Sequence, residues 1–146
     1  MITHIPKIDY KILCDTHHVK NKLELNKLSL AVSHYGFLII KNYPINLKNI
    51  NNVFSIYKDF FKLSYEEKNK INMSNTLSNR GWGEPKAEQV NQNYNPDYKE
   101  IFDCGPEIEV KHQFEEFTYY SKNIWPKQIP LFENIVMSFY KSCSEI

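Results

Sequence analysis

From Leu47 to Phe61 the apolar residues Leu47, Ile50, Val53, Phe54, Tyr57, Phe60 and Phe61 recur at steps of three and four, with Lys48, Asn49, Asn52 and Lys58 between them. That period lays one broad apolar stripe along a helix and leaves the opposite side polar. A stripe of this width needs a core to cover it, and a chain of 146 residues is long enough to close one. Directly after it, Ser64-Tyr65-Glu66-Glu67 has the form of a capping box, in which the Ser64 hydroxyl accepts from the Glu67 amide while Glu67 reaches back to the Ser64 amide. A short helix ending near Met73 is predicted there.

The other elements are read by the same means. Ile5 to Tyr10 reads as a short, peripheral extended segment opened by Pro6, whose missing donor suits an edge. From about Lys20 to His34, Leu25, Leu28, Ala31 and Val32 keep helical spacing, and Gly36 stands just beyond as the stop. The run Phe37-Leu38-Ile39-Ile40, bounded by Gly36 and Pro44, is too short for a helix and reads as a buried strand. Between about 74 and 96 the period disappears and Asn, Ser, Gly and Gln dominate, so this stretch reads as a long loop in which Gly81 and Gly83 make tight turns around Trp82. Its length raises its functional interest, because ordering so many residues costs backbone entropy that a short turn avoids. Lys99 to Cys104 reads as a weak strand, and Phe114, Phe117, Tyr119 and Tyr120 form an aromatic cluster in a connector. After Pro126 and Pro130, the residues Leu131, Phe132, Ile135, Val136, Phe139 and Tyr140 resume helical spacing, and no stop signal follows before Ile146.

Charge excludes several function classes. Eighteen basic and 17 acidic residues are interspersed, giving a net charge of +1 and no electrostatic footprint for nucleic acid or an anionic membrane. No apolar run approaches the roughly 20 residues that cross a bilayer, and the first residues lack the pattern of a signal peptide. A cytoplasmic protein is expected. Cys14, Cys104 and Cys143 are odd in number and widely separated, which suggests buried or half-buried thiols in place of a disulfide framework or a zinc site.

Taken in order, Ile5-Pro6-Lys7-Ile8-Asp9, Tyr35 to Asn42, Asp59 to Lys68, Arg80-Gly81-Trp82-Gly83-Glu84, Asp97 to Gly105 and Asn123-Ile124-Trp125-Pro126 form a series that covers nearly the whole chain. This series resembles the N-terminal domain of the 2-oxoglutarate and iron(II)-dependent dioxygenases related to isopenicillin N synthase. The resemblance implies an α+β fold, with several helices packed on a small incomplete sheet, spanning 1–146 as one domain with a substrate-entrance loop at about 74–96. In that family the last helix leads into a jelly-roll barrel that holds the iron and the co-substrate, and the sequence is expected to stop short of it.

A non-haem iron site needs two imidazoles and a carboxylate on one face of the metal. None of His4, His17, His18, His34 and His112 is followed two residues later by Asp or Glu, and the Arg-x-Ser that binds 2-oxoglutarate in the resembling enzymes is also missing. No catalytic, cofactor-binding or metal-ligating residue is therefore assigned, and Fe(II) and 2-oxoglutarate are expected only in a full-length relative. No phosphate-binding loop, dinucleotide fingerprint, nucleophile elbow or H-E-x-x-H motif is present.

Two positions remain as substrate-facing candidates. Arg80 lies in the Gly-rich loop, and a guanidinium can grip a carboxylate through two parallel bonds. By the resemblance, Arg80 and Trp82 sit where the loop approaches the active-site mouth. The alternative is that Arg80 pairs with Glu84 or Asp97 and Trp82 anchors the loop. Lys99 and Glu100, adjacent in a strand, face opposite sides and need partners elsewhere, while Trp125 reads as an anchor before the final helix.

Two functions follow. The chain is either the non-catalytic N-terminal portion of an oxygenase-like protein, bracing the barrel and shaping the small-molecule entrance, or a stand-alone interaction protein derived from that domain. The expected partner is a second copy of the chain or a separately encoded jelly-roll domain, and a small-molecule substrate joins only with that domain.

Overall fold

The computed structural model describes residues 4–76, 79–87, 95–107 and 121–146. The chain divides into two compact units, one formed by residues 1–47 with 140–146 and the other by residues 48–139. Helices alternate with two small sheets of two strands each, an α+β architecture without a barrel among the described residues.

In the first unit, strand β1 (Lys7–Asp9) pairs in parallel with β2 (Ile39–Lys41), Lys7 opposite Ile39. Parallel neighbours need a crossover between them, and helices α1 (Tyr10–Cys14) and α2 (Asn21–Leu30) supply it. The extended segment expected up to Tyr10 ends one residue earlier, because Asp9 caps α1 by accepting from the Ile12 amide at 3.4 Å. The last carbonyls of α1 would otherwise lack partners. Asn21 donates its side-chain amide to two of them, Ile12 and Leu13, at 3.0 and 2.9 Å.

The inward face of α2 differs from the predicted apolar one. Asn21 and Glu24 are buried and Ala31 is fully so, whereas Leu25 and Val32 are exposed. Residues 21, 24, 28 and 31 share one helical stripe. It is turned away from the predicted stripe because backbone groups of β1 and α1 need polar partners there. Glu24 accepts from the Asp9 amide at 2.9 Å and from Lys27 Nζ at 2.6 Å, and the bonds from Lys27 first and Asp9 second hold its pKa below the ordinary carboxylate value. A π-helical turn, Ala31–Tyr35, continues α2 and closes where Gly36, at φ 73°, donates to Ala31 five residues back.

The strand expected to be buried at Phe37 to Ile40 has one covered side. Leu38 and Ile40 line an apolar cavity of about 120 Å³ with Ile8, Leu13 and Leu28, while Phe37 and Ile39 on the other side are exposed. Side chains alternate along a strand, so a two-stranded sheet covered on one side hides only every second residue.

In the second unit, α3 (Leu47–Phe61) follows its predicted bounds and buries Phe60 together with Ile56, which the predicted stripe omits, while Leu47 and Phe54 of that stripe are exposed. The capping box forms as predicted: Ser64 Oγ accepts from the Glu67 amide at 3.3 Å, and Glu67 Oε2 accepts from the Ser64 amide at 3.2 Å. It opens α4 (Tyr65–Asn69), and a further turn of helix, α5 (Met73–Thr76), follows. Strands β3 (Gly81–Gly83) and β4 (Ile101–Asp103) run antiparallel with Trp82 opposite Phe102. The final helix, α6 (Phe132–Ser144), buries Phe132 and Val136.

The core is aromatic. Phe60, Phe102 and Phe132 meet with ring centroids 4.9–5.4 Å apart, and Trp125 stacks on Phe102 at 5.8 Å, the anchoring role read for it from the sequence. Such edge and offset contacts add to area burial because the ring quadrupoles attract. Of the thiols, only Cys104 is half-buried; Cys14 and Cys143 are exposed, contrary to the expectation. No helix among the described residues is long and apolar enough to cross a membrane. The aromatic cluster at Phe114, Phe117, Tyr119 and Tyr120 lies outside the described residues, as do 77–78 and 88–94 of the loop.

Candidate functional site

Gly81-Trp82-Gly83, read from the sequence as turns, is a strand with all three residues buried. Gly81 takes φ 103° and passes so close to the Ile71 carbonyl that a Cβ would collide with it, a conformation and an approach open to glycine. The neighbouring Trp82 amide donates to that same carbonyl at 2.8 Å. This close approach makes the segment an element of the core in place of a loop tip.

Trp82 is 1% exposed, and its indole N–H donates to Glu100 Oε2 at 2.9 Å. The same oxygen pairs with Lys68 Nζ at 2.7 Å, and Lys68 stands 5.3 Å over the Trp82 ring and donates to the Phe61 carbonyl at 3.3 Å. A buried ammonium is tolerated only with a counter-charge and further acceptors, and here carboxylate, carbonyl and ring face supply them. Three elements are tied together: α4 through Lys68, β3 through Trp82 and the entry to β4 through Glu100. Lys99 pairs with Asp97 at 3.5 Å. Tyr65 packs edge-on against Trp82 and donates its hydroxyl to Glu84 at 3.0 Å, a bond that raises the Tyr65 pKa.

Beside β3 lies a cleft of about 590 Å³ with a mixed lining, polar at Asn72, Ser74, Glu84 and Asp103 and apolar at Met73 and Ile101. Trp82 points into the core, while Gly83 and Glu84 border the cleft. Arg80 is half-buried, with its guanidinium against Gly105. Burial raises the neighbouring Cys104 thiol pKa, and the Arg80 charge opposes that rise. Burial likewise raises Tyr57, with Cys104 and Asp103 adding to it. The two sequence candidates are thus placed differently, Trp82 in the core as an anchor and Arg80 half-buried with its guanidinium packed on Gly105.

Lys68 was given no role of its own in the sequence. A lysine in a capped helix reads as solvated, and only the need of Glu100 for a distant partner pointed toward one. Among the described residues, no three His, Cys, Asp or Glu side chains gather as a metal site. His4, His17 and His34 are exposed, His18 accepts from the Lys20 amide at 3.1 Å, and His112 lies outside the described residues.

Residues 5–128 match the family of the non-haem dioxygenase in morphine synthesis N-terminal domain. The chain belongs to this family. It is similar to homoarginine-6-hydroxylase 2-ODD-C23.1 of Arabidopsis thaliana, 31% identical over 84% of this chain and 36% of the relative. It is also similar to codeine O-demethylase of Papaver somniferum, 33% identical over 67% of this chain and 26% of the relative. Among solved structures, a full-length Neurospora crassa protein in complex with alpha-KG and thymine shares the fold at a TM-score of 0.70 and 30% identity, covering 95% of this chain and 44% of that one. A protein assigned to the 2OG-Fe(II) oxygenase family from Caulobacter crescentus superposes with a TM-score of 0.76 at 22% identity, over 95% of this chain and 43% of that one. The chain therefore spans less than half the length of these dioxygenase relatives, and its architecture is that of their N-terminal domain.

Proposed function

We propose that this dioxygenase N-terminal domain braces a jelly-roll barrel and shapes the entrance for a small organic substrate, in a cytosolic oxygenase-like protein. In that assembly the barrel supplies the residues that hold iron and 2-oxoglutarate, since no His-x-Asp or Arg-x-Ser stands in this sequence. The observation that carries the reading is the lock of Trp82, Glu100 and Lys68. It fixes Gly81-Trp82-Gly83, within the 74–96 stretch, where that strand borders the cleft, and a rigid element is what positions side chains at an entrance. Arg80 and Glu84 are the polar groups of this loop with which a substrate would meet the domain, and Trp82 holds the strand between them.

A chimera tests this. The equivalent N-terminal portion of the Neurospora crassa protein that was solved with thymine is replaced by this chain, and conversion of 2-oxoglutarate to succinate is followed with and without thymine. The chimera is expected to turn over 2-oxoglutarate faster than the isolated barrel, with thymine coupling that changes on Glu84→Ala. A folded chimera no better than the isolated barrel refutes the bracing role.

The exposed apolar residues of the first unit favour a second reading, self-association as a stand-alone interaction protein. Val32 is 69% exposed and Phe37 52%, and apolar residues left uncovered together mark a partner surface. A discrete dimer mass that Val32→Asp abolishes supports that reading, and a monomer across the accessible concentration range removes it.

A further inference from the structure

Arg80 is the sole arginine among 18 basic residues, and its surroundings explain a glycine that backbone geometry leaves unexplained. Gly105 is buried, and its φ lies outside the left-handed region where glycine is favoured. A Cβ on Gly105 would meet three atoms first, all from the Arg80 guanidinium: Nη2, Cζ and Nη1, at nearly equal distances. Near-equal distances mean that the flat face of the guanidinium lies over Gly105. The N–H donors of that group lie in its plane, so they point along the Gly105 surface and not into it.

The Gly105 peptide is itself held on both sides. Asn123 accepts from the Gly105 amide through Oδ1 at 2.9 Å and donates to the Gly105 carbonyl through Nδ2 at 2.8 Å, the two bonds a neighbouring strand would make. The same Nδ2 also reaches Glu107 at 2.6 Å. Asn123 thus does for one residue what a third strand would do for a row of them, and the chain just beyond β4 gains a fixed surface.

We propose that the Gly105 peptide, clamped by Asn123, is the seat that sets the direction of the Arg80 guanidinium, which makes Gly105 and Asn123 positioning residues for Arg80 at the entrance proposed above. The entrance role of Arg80 rests on that reading; the seat does not. A methyl group at Gly105 fills the seat, and the guanidinium, at the end of a flexible side chain, moves off while the backbone stays.

The seat is tested on the whole chain by NMR and by urea unfolding of Gly105→Ala, Arg80→Ala, Asn123→Ala and the Gly105→Ala/Arg80→Ala pair. A chain with one arginine gives one Arg Nε–Hε resonance, so its assignment is unambiguous. Gly105→Ala and Asn123→Ala are each expected to shift that resonance and speed its exchange with water, with the backbone amides of β3 and β4 otherwise unmoved. The unfolding midpoint should fall less for Gly105→Ala in the Arg80→Ala background than in the native one, because the clash is gone. An unshifted Arg80 resonance in Gly105→Ala, or midpoint losses that simply add, overturns the seat. These readouts come from the chain alone, so a failure here is distinct from failure of the chimera.

Discussion

Removing the Glu100 carboxylate is the most informative perturbation of the second unit. Glu100→Ala leaves the Lys68 ammonium, whose side chain is 10% exposed, without its counter-charge, and leaves the Trp82 indole N–H without its acceptor. Breaking a buried pair on one side costs about 3–5 kcal/mol, and a lost hydrogen bond to a charged group about 1.5–3 kcal/mol. The Glu100 side chain is 26% exposed, so water can reach the vacated site and the loss should fall at the low end, about 3 kcal/mol. For a unit of this size that lowers the melting temperature by roughly 10 °C or more. Lys68→Met combined with Glu100→Gln removes both charges and keeps an acceptor for the indole, so the pair of changes should cost only about 1 kcal/mol. Urea unfolding followed by tryptophan fluorescence reads this directly, because Trp82 and Trp125, the two tryptophans of the chain, both lie in this unit. A Glu100→Ala loss below about 0.5 kcal/mol, the level of an exposed pair, would refute the lock. So would single losses that add in the double variant.

Three further outcomes are expected. The lowered pKa of Glu24 means that its contribution is present above the unfolded value, near 4.5, and is lost as pH falls through the folded value; acid unfolding of the first unit should therefore be blunted in Glu24→Gln, and an unchanged acid profile would count against it. Ser64→Ala removes one half of the capping box and should cost about 1 kcal/mol in the second unit, read as a lower urea midpoint. Exposed Cys14 and Cys143 should react with a maleimide within minutes at neutral pH, while Cys104, its pKa raised by burial, reacts slowly until the chain unfolds; fast labelling of all three thiols in the folded chain contradicts the placement of Cys104.

The sequence alone determined the elements whose signals are local. The stripe from Leu47 to Phe61 formed the helix its period required, the Ser64 box closed with both of its bonds, and Gly36 ended the helix before it. These depend on residues three or four apart, so no distant partner can alter them greatly. The order of short motifs also pointed to the dioxygenase N-terminal domain, which the family match bears out. Tertiary structure decided which faces are inside. Asn21 and Glu24 displaced Leu25 and Val32 from the inner side of α2 because unpaired backbone groups of β1 and α1 needed them more than the core needed leucine. Gly81-Trp82-Gly83 became a buried strand because Ile71 and Glu100, both distant from Trp82 in sequence, supply its partners. The seat of Arg80 on Gly105, with Asn123 behind it, joins three positions spread over 80 to 123. No periodicity connects such residues, since their contact is made by chain folding and not by helix or strand geometry.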